Sequence, residues 1–289
     1  MTILITGANG FIGKHLVSEL RGTAELLTPR SFELDLLDRE HVDAFFACHN
    51  IDFIVHSAAS GVRITPDAAE RIAADNLLMV ENLAAHVSAD CPMLVLGSGA
   101  EYDKSRPLCK IKEEEWLHAA PTDPYGRGKH AISRFILDHE HICNLRIFGI
   151  YGMHEHPSRL PAYVLSRCMA NEDILLNQNV VFDFLYVKDL CRIIRRFIEG
   201  GIQEKFVNAC PVESISIREL AELAVSFFPD FTGQICFRNE GMGKEYTGSN
   251  NLLHTLLPEF SFTSYREGLT DYLHELKASS LFAPYPSHR

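Results

Sequence analysis

Short apolar runs alternate along this chain with stretches whose apolar residues recur at helical spacing. Residues 3–6, 25–28, 53–56, 93–96, 145–148 and 206–208 read as strands, and 11–21, 39–48, 68–88, 125–141 and 188–199 as helices between them. Strands separated by helices pair in parallel through right-handed crossovers, with helices covering both sheet faces. The pattern therefore predicts an α/β fold on a doubly wound parallel sheet. After Gly152 the pattern changes, with a helix near 161–170, a polar loop, and helices near 216–227 and 265–276 around a Gly- and Asn-containing stretch. This divides the chain into a main domain, residues 1–152 and 182–208, and a smaller, discontinuous C-terminal lobe, residues 153–181 and 209–289. The lobe is expected over the carboxyl ends of the strands, where ligands of open α/β sheets bind.

The first strand runs directly into Gly7, Gly10 and Gly13, which open a helix carrying Phe11, Ile12, Leu16, Val17 and Leu20. Such glycines let backbone N–H groups approach a pyrophosphate, and the helix N-terminus adds partial positive charge. Three glycines also serve close packing in an ordinary strand–turn–helix. Their place between a buried strand and an amphipathic helix favours a dinucleotide site. The net charge of −11 argues against a nucleic-acid partner, so an anionic ligand must be met by locally placed Arg and Lys. No run approaches the roughly 18 apolar residues of a membrane helix, and nothing resembles a signal peptide. The eight cysteines are scattered without a C-x-x-C pair, as expected of a reduced, cytoplasmic protein. His139-Glu140-His141 and His154-Glu155-His156 lack the H-E-x-x-H spacing, and no metal site is expected.

Tyr125-Gly126-Arg127-Gly128-Lys129 follows Asp123, a natural N-cap, and Pro124, suited to the first helical position. Tyr125 and Lys129 then share a helix face. The helix dipole and the ammonium both stabilise a phenolate developing on Tyr125, which can exchange a proton with an alcohol oxygen. Taken alone, such a pair reads as surface residues. Ser98, at the carboxyl end of the buried 93–96 strand, adds a hydroxyl that can bond the same oxygen.

With these motifs in order, the chain resembles the extended short-chain dehydrogenase/reductase family, whose Rossmann-fold members act on nucleotide sugars. The match continues through Leu34-Asp35-Leu36-Leu37-Asp38, Ser57-Ala58-Ala59, Asp75-Asn76-Leu77, Arg146 to Gly152, Asp183 to Leu190 and Phe206-Val207-Asn208. The resemblance implies a catalytic trio of Ser98, Tyr125 and Lys129. It implies cofactor contacts from Gly7, Asn9, Gly10, Phe11, Ile12, Gly13, Asp35, Leu36, Ala58, Ala59 and Asn76, with Tyr125 and Lys129 also at the cofactor. It further implies a homodimer through the 68–88 and 125–141 helices. The substrate diphosphate is assigned to Arg159, Arg238 and Lys244.

Dehydratases of the family carry an acid directly after the catalytic hydroxyl, where this chain has Gly99 and Ala100. The GDP-fucose synthase branch, which the chain resembles most in texture, places an epimerising cysteine two residues after the serine and a histidine after His-Pro-Ser. Here those positions hold Ala100 and, near the second, Arg159. The expected reaction is reduction of a 4-keto (6-deoxy) sugar nucleotide at C4 without epimerisation. Arg30 ends the second strand with no carboxylate before Glu33, which favours a 2′-phosphate and hence NADPH. Asn9 stands where the GDP-fucose synthase branch has an arginine. An NAD-dependent nucleotide-sugar 4-epimerase and a non-catalytic cofactor sensor on the same fold remain the alternatives.

Overall fold

The computed structural model describes residues 1–61 and 68–279; the end of the expected small lobe, 280–289, lies outside the described residues. All six expected strands enter one parallel sheet. They include β1 (Thr2–Thr6), β2 (Glu25–Leu27), β3 (Phe53–His56) and β4 (Met93–Ser98). The order is Phe206–Ala209, Ile142–Ile147, β4, β3, β1, β2. The order turns back between β1 and β3, and the crevice above that point is where a doubly wound sheet takes its ligand.

Burial on both faces explains the continuous apolar runs. Ile3 and Ile5 pack under α1 (Phe11–Leu20) and the helix Val187–Gly200, through Leu16, Leu190 and Ile194. Leu4 points oppositely, beneath α2 (Arg39–Cys48), α3 (Ala69–Ala84) and α4 (Pro124–Leu137), among Val42, Val80, Leu83 and Ile136. Each such side chain contributes roughly 1.5–3 kcal/mol on burial, enough to hold a short strand from two sides.

The strand Ile142–Ile147 starts earlier than expected because Asn144 and Arg146 interrupt its apolar pattern although both are fully buried. Helix α4 correspondingly ends at Leu137, and His141 turns into the strand at φ +60°.

Outside this sheet, the described residues make three small ones. Ile215–Ser216, Val181–Phe182, Tyr246–Gly248 and Leu108–Ile111 form one; Ile174–Leu176 pairs with Ile235–Phe237, and Gly149–Tyr151 with Phe184–Tyr186. The helices Leu160–Met169, Ile217–Val225 and Tyr265–Ala278 cover them through Leu165, Leu220, Leu269 and Tyr272. Two segments cross between the parts. Leu108–Ile111 leaves the early chain to pair with Tyr246–Gly248, and the helix Asn251–Leu256 returns Leu253 to the main core with Val207.

Candidate active site

The glycine turn is close-packed to the point that side chains are excluded. Gly7 has φ +69°, and a Cβ there would lie 2.6 Å from the Ala58 amide nitrogen. A Cβ on Gly13 would lie 2.2 Å from the Gly7 carbonyl oxygen, so α1 sits directly beneath the turn. Gly10 is the N-cap of α1 and no side chain caps the helix, leaving the first-turn amides directed to the groove mouth.

A groove of about 830 Å³ runs past this turn, lined by Gly7, Asn9, Gly10, Arg30, Asp35, Leu36, Ala58 and Ala59. A second cavity of about 710 Å³ continues from it, sharing Ser57, Ala58 and Ala59 and adding Phe11, Ile12, Ser98, Tyr125 and Lys129. The structure therefore brings together most of the expected cofactor residues with the three expected catalytic residues. Gly13 and Asn76 act from behind. Asn76 accepts from the Ser60 amide at 2.7 Å and donates to the Ile72 carbonyl at 2.8 Å, tying the segment after β3 to α3.

The Glu33 carboxylate is turned onto the Arg30 amide at 2.8 Å, and Asp35 onto the Leu37 amide at 3.0 Å. Among the described residues, no carboxylate pairs with the Arg30 guanidinium. Uncapped amides, a glycine cradle and an elongated groove fit a dinucleotide cofactor.

Asp123 caps α4, its carboxylate accepting from the Gly126 amide at 2.9 Å, with Pro124 in the first turn. This places Tyr125 at the cavity, 43% exposed. Lys129 donates to the Leu96 carbonyl of β4 at 3.1 Å. Nearby His56 bonds Thr6 Oγ1 at 2.8 Å, and burial, then the Lys129 charge, lower it to about 3, leaving a neutral ring under the cavity.

Ser98 stands on a network that its motif does not announce. Its Oγ accepts from the Ala100 amide at 3.1 Å, and its own amide donates to Glu101 at 3.1 Å. The fully buried Glu101 carboxylate also accepts from Arg146 Nε at 2.8 Å, from Asn144 Nδ2 at 3.0 Å and from the Ser133 hydroxyl. Arg146 is fully buried between the rings of Tyr102, Trp116 and Phe206. A buried ion pair is tolerated only when its remaining polar atoms are bonded, as they are here. The available signal was a charged residue inside each of two apolar segments.

At the outer wall, Arg159 and Lys244 line the cavity, but Arg238 does not; it is exposed beside the Ile235–Phe237 strand. Arg238 follows the Ile235–Phe237 strand, which pairs with Ile174–Leu176, and its amide donates to the Leu176 carbonyl at 2.9 Å. Lys104 and Arg106, missed in the sequence, line the same wall and pair with Asp123 at 2.8 Å and Glu115 at 3.3 Å. Among the described residues, no His or Cys lines the cavity, and Glu245 is its one carboxylate, accepting from the Thr247 hydroxyl at 2.7 Å. His154 packs against His15, ring centroids 5.7 Å apart, and His156 bonds the Ser158 hydroxyl at 2.7 Å.

A family model described as the NAD dependent epimerase/dehydratase family matches residues 3–210. The chain belongs to that family. GDP-6-deoxy-D-talose 4-dehydrogenase of Aggregatibacter actinomycetemcomitans is 26% identical over 283 residues, covering 92% of this chain and 95% of that protein. UDP-glucose 4-epimerase of Yersinia enterocolitica is 23% identical over 284 residues, covering 86% of this chain and 79% of its own length. Among solved structures, a GDP-L-fucose synthetase of Naegleria fowleri bound to NADP superposes with a TM-score of 0.78 at 17% identity. That superposition covers 96% of this chain and 94% of the other, and shows the shared family fold. Among the described residues, no helix is long and apolar enough to cross a membrane, and no three His, Cys, Asp or Glu cluster as metal ligands.

Proposed function

We propose that this chain is an NADPH-dependent reductase of 4-keto-6-deoxy sugar nucleotides, acting at C4 and leaving neighbouring stereocentres untouched. One observation carries the reading: the cavity that joins the trio to the dinucleotide groove offers, among the described residues, no His or Cys to move a proton at carbon. The similarity to a GDP-6-deoxy-D-talose 4-dehydrogenase supports it, because oxidation of that carbinol is the reverse of 4-keto reduction.

Gly7, Asn9, Gly10, Phe11, Ile12, Ala58 and Ala59 would hold the cofactor, with Arg30 against a 2′-phosphate. When bound, NADPH supplies a hydride. Ser98 bonds the C4 oxygen, Tyr125 transfers its proton to that oxygen, and Lys129 stabilises the phenolate left behind. Arg159 and Lys244 receive the substrate diphosphate from the small-lobe wall. Two copies associate through α3 and α4, where Leu78 is exposed, as an isologous pair.

The test is a panel of 4-keto-6-deoxy nucleotide sugars with NADPH in D₂O. Product reduced at C4 with no deuterium at C3 or C5 is expected. Deuterium at either carbon moves the assignment to an epimerase-reductase, with Glu245 as the first residue to replace. The likeness to UDP-glucose 4-epimerase favours a second reading, an epimerase that retains NAD. Purified protein carrying tightly bound NAD and interconverting C4 epimers without added NADPH would establish it.

A further inference from the structure

Ser98 and Tyr125 stand on different elements, and one buried carboxylate joins those elements. Ser98 caps the short turn Gly99–Glu101: its hydroxyl accepts from the Ala100 amide, and its own amide donates to Glu101, each at 3.1 Å. The same fully buried carboxylate gathers donors from two further elements. Arg146 Nε at 2.8 Å and Asn144 Nδ2 at 3.0 Å come from the strand beside β4, and the Ser133 hydroxyl comes from α4. Tyr125, Lys129 and Ser133 are spaced four apart and form one stripe along that helix. Lys129 bonds the Leu96 carbonyl, two positions before Ser98, and Ser133 bonds Glu101, three positions after it. The stripe that begins at Tyr125 therefore holds the end of β4 on both sides of the serine.

Two glycines make room for this junction. A Cβ on Gly97 would lie 2.7 Å from the nearer Glu101 carboxylate oxygen and would overlap the Asn144 side chain, so the carboxylate lies directly against β4. A Cβ on Gly126 would lie 2.5 Å from the Ala100 carbonyl oxygen, so the first turn of α4 rests on the Gly99–Glu101 turn. We infer that Glu101 is a positioning residue: it fixes the turn that carries Ser98 against the helix that carries Tyr125, so that both hydroxyls meet one substrate oxygen. Being fully buried, the carboxylate acts only through Ser98. The inference rests on the reductase reading, in which that oxygen is the one on C4. Placement matters at this scale, because a shift of about 1 Å can cost about 10²-fold in rate.

Ser133→Ala cuts the link to α4 and leaves the Glu101–Arg146 pair whole. With NADPH and the best 4-keto substrate of the panel, kcat is expected to fall about 3–10-fold, the size of one hydrogen bond, with KM and NADPH affinity within about twofold. Glu101→Gln, assayed well below its Tm, is expected to lower kcat by about 10–10²-fold. In a Ser98→Ala background neither change is expected to cost anything further, since no serine is left to place. Ile194→Ala, in the core on the other side of the sheet, is expected to lower Tm and hold kcat. Ser133→Ala decides alone if Glu101→Gln does not fold. Equal losses with and without Ser98, an unchanged kcat in Ser133→Ala, or a kcat loss in Ile194→Ala as large as in Ser133→Ala would each overturn the inference while leaving the reductase reading standing. A wild-type enzyme that reduces no 4-keto nucleotide sugar would overturn that reading, and the inference with it.

Discussion

In the sheet half, Ser98 and Lys129 are fixed to elements bonded along their length: β4 lies between two partners, and α4 is capped at Asp123. In the lobe half, Lys244 precedes and Tyr246 opens a three-residue strand, and Arg159 sits at a helix N-cap. The contrast separates two tasks. Proton transfer requires its groups within hydrogen-bonding distance, and a rigid sheet end provides this. Under the proposed function, recognition of the nucleotide sugar falls instead to short segments gathered from distant parts of the chain.

Breaking the rigid side gives the largest expected effect. Tyr125→Phe removes the proton donor and is expected to lower kcat by about 10²–10⁴ while NADPH affinity stays within about twofold. Near-normal turnover measured under saturating substrate would take Tyr125 out of the mechanism. Glu101→Gln attacks the same rigidity from beneath, leaving Arg146 buried without its counter-charge. Loss of one partner of such a pair costs about 3–5 kcal/mol, readable by urea unfolding. A loss under about 1 kcal/mol would show that the network tolerates neutralisation, as a surface pair does.

The comparison sharpens when pH is varied, because burial shifts His56 in the sheet half and Glu155 in the lobe half with opposite consequences for stability. His56 in the sheet half is lowered from 6.5 to about 3, so the unfolded chain takes up a proton that the native state refuses, and stability falls as pH drops below 6.5. Glu155 in the lobe half is raised by burial from 4.5 to about 8, and neither of its carboxylate oxygens has a hydrogen-bond partner among the described residues. The native state then keeps a proton that the unfolded chain releases, and stability falls as pH climbs from 4.5 through 8. Glu155→Gln is expected to stabilise the protein by up to about 4 kcal/mol near pH 7.5 and to match wild type near pH 4. Equal stability of the two proteins at both pH values would show that the carboxyl is ionised at no cost.

Arg30→Asp tests the far end of the groove. Losing a charge-assisted contact to the 2′-phosphate and gaining a carboxylate for the ribose hydroxyls is expected to shift the NADPH-to-NADH affinity ratio by roughly 10–100-fold. Titration calorimetry showing an unchanged ratio would remove Arg30 from cofactor selection.

What was legible in the sequence follows the same division. Most of the sheet strands announce themselves because burial on both faces makes them short apolar runs, and the glycine turn because Cβ atoms are excluded there. The Glu101–Arg146 pair was not legible: a charge within an apolar run reads as an interruption until its partner, 45 positions away, is seen. The lobe strands, two to four residues long, carry too few positions to show a period of two. Tyr246 follows a polar stretch with no motif, so only the folded chain places it at the cavity.

The outer wall gives the smallest expected effects. Arg159 and Lys244 line the cavity and Arg238 does not, although the three look alike as scattered basic residues in the sequence. Exposed charge contacts to a diphosphate are screened by water and salt, so each contributes modestly. Arg159→Ala and Lys244→Ala are each expected to raise KM for the nucleotide sugar by about 3–10-fold with kcat held, the pattern of binding shared by ground and transition states. Arg238→Ala is expected to leave KM within about twofold of wild type, as surface changes usually do. The three variants compared at two salt concentrations decide the matter: the KM penalties of the first two should shrink as salt rises, since added ions already weaken the contacts they remove. A KM increase for Arg238→Ala as large as the others would mean that the Ile235–Phe237 strand swings toward the cavity when substrate binds.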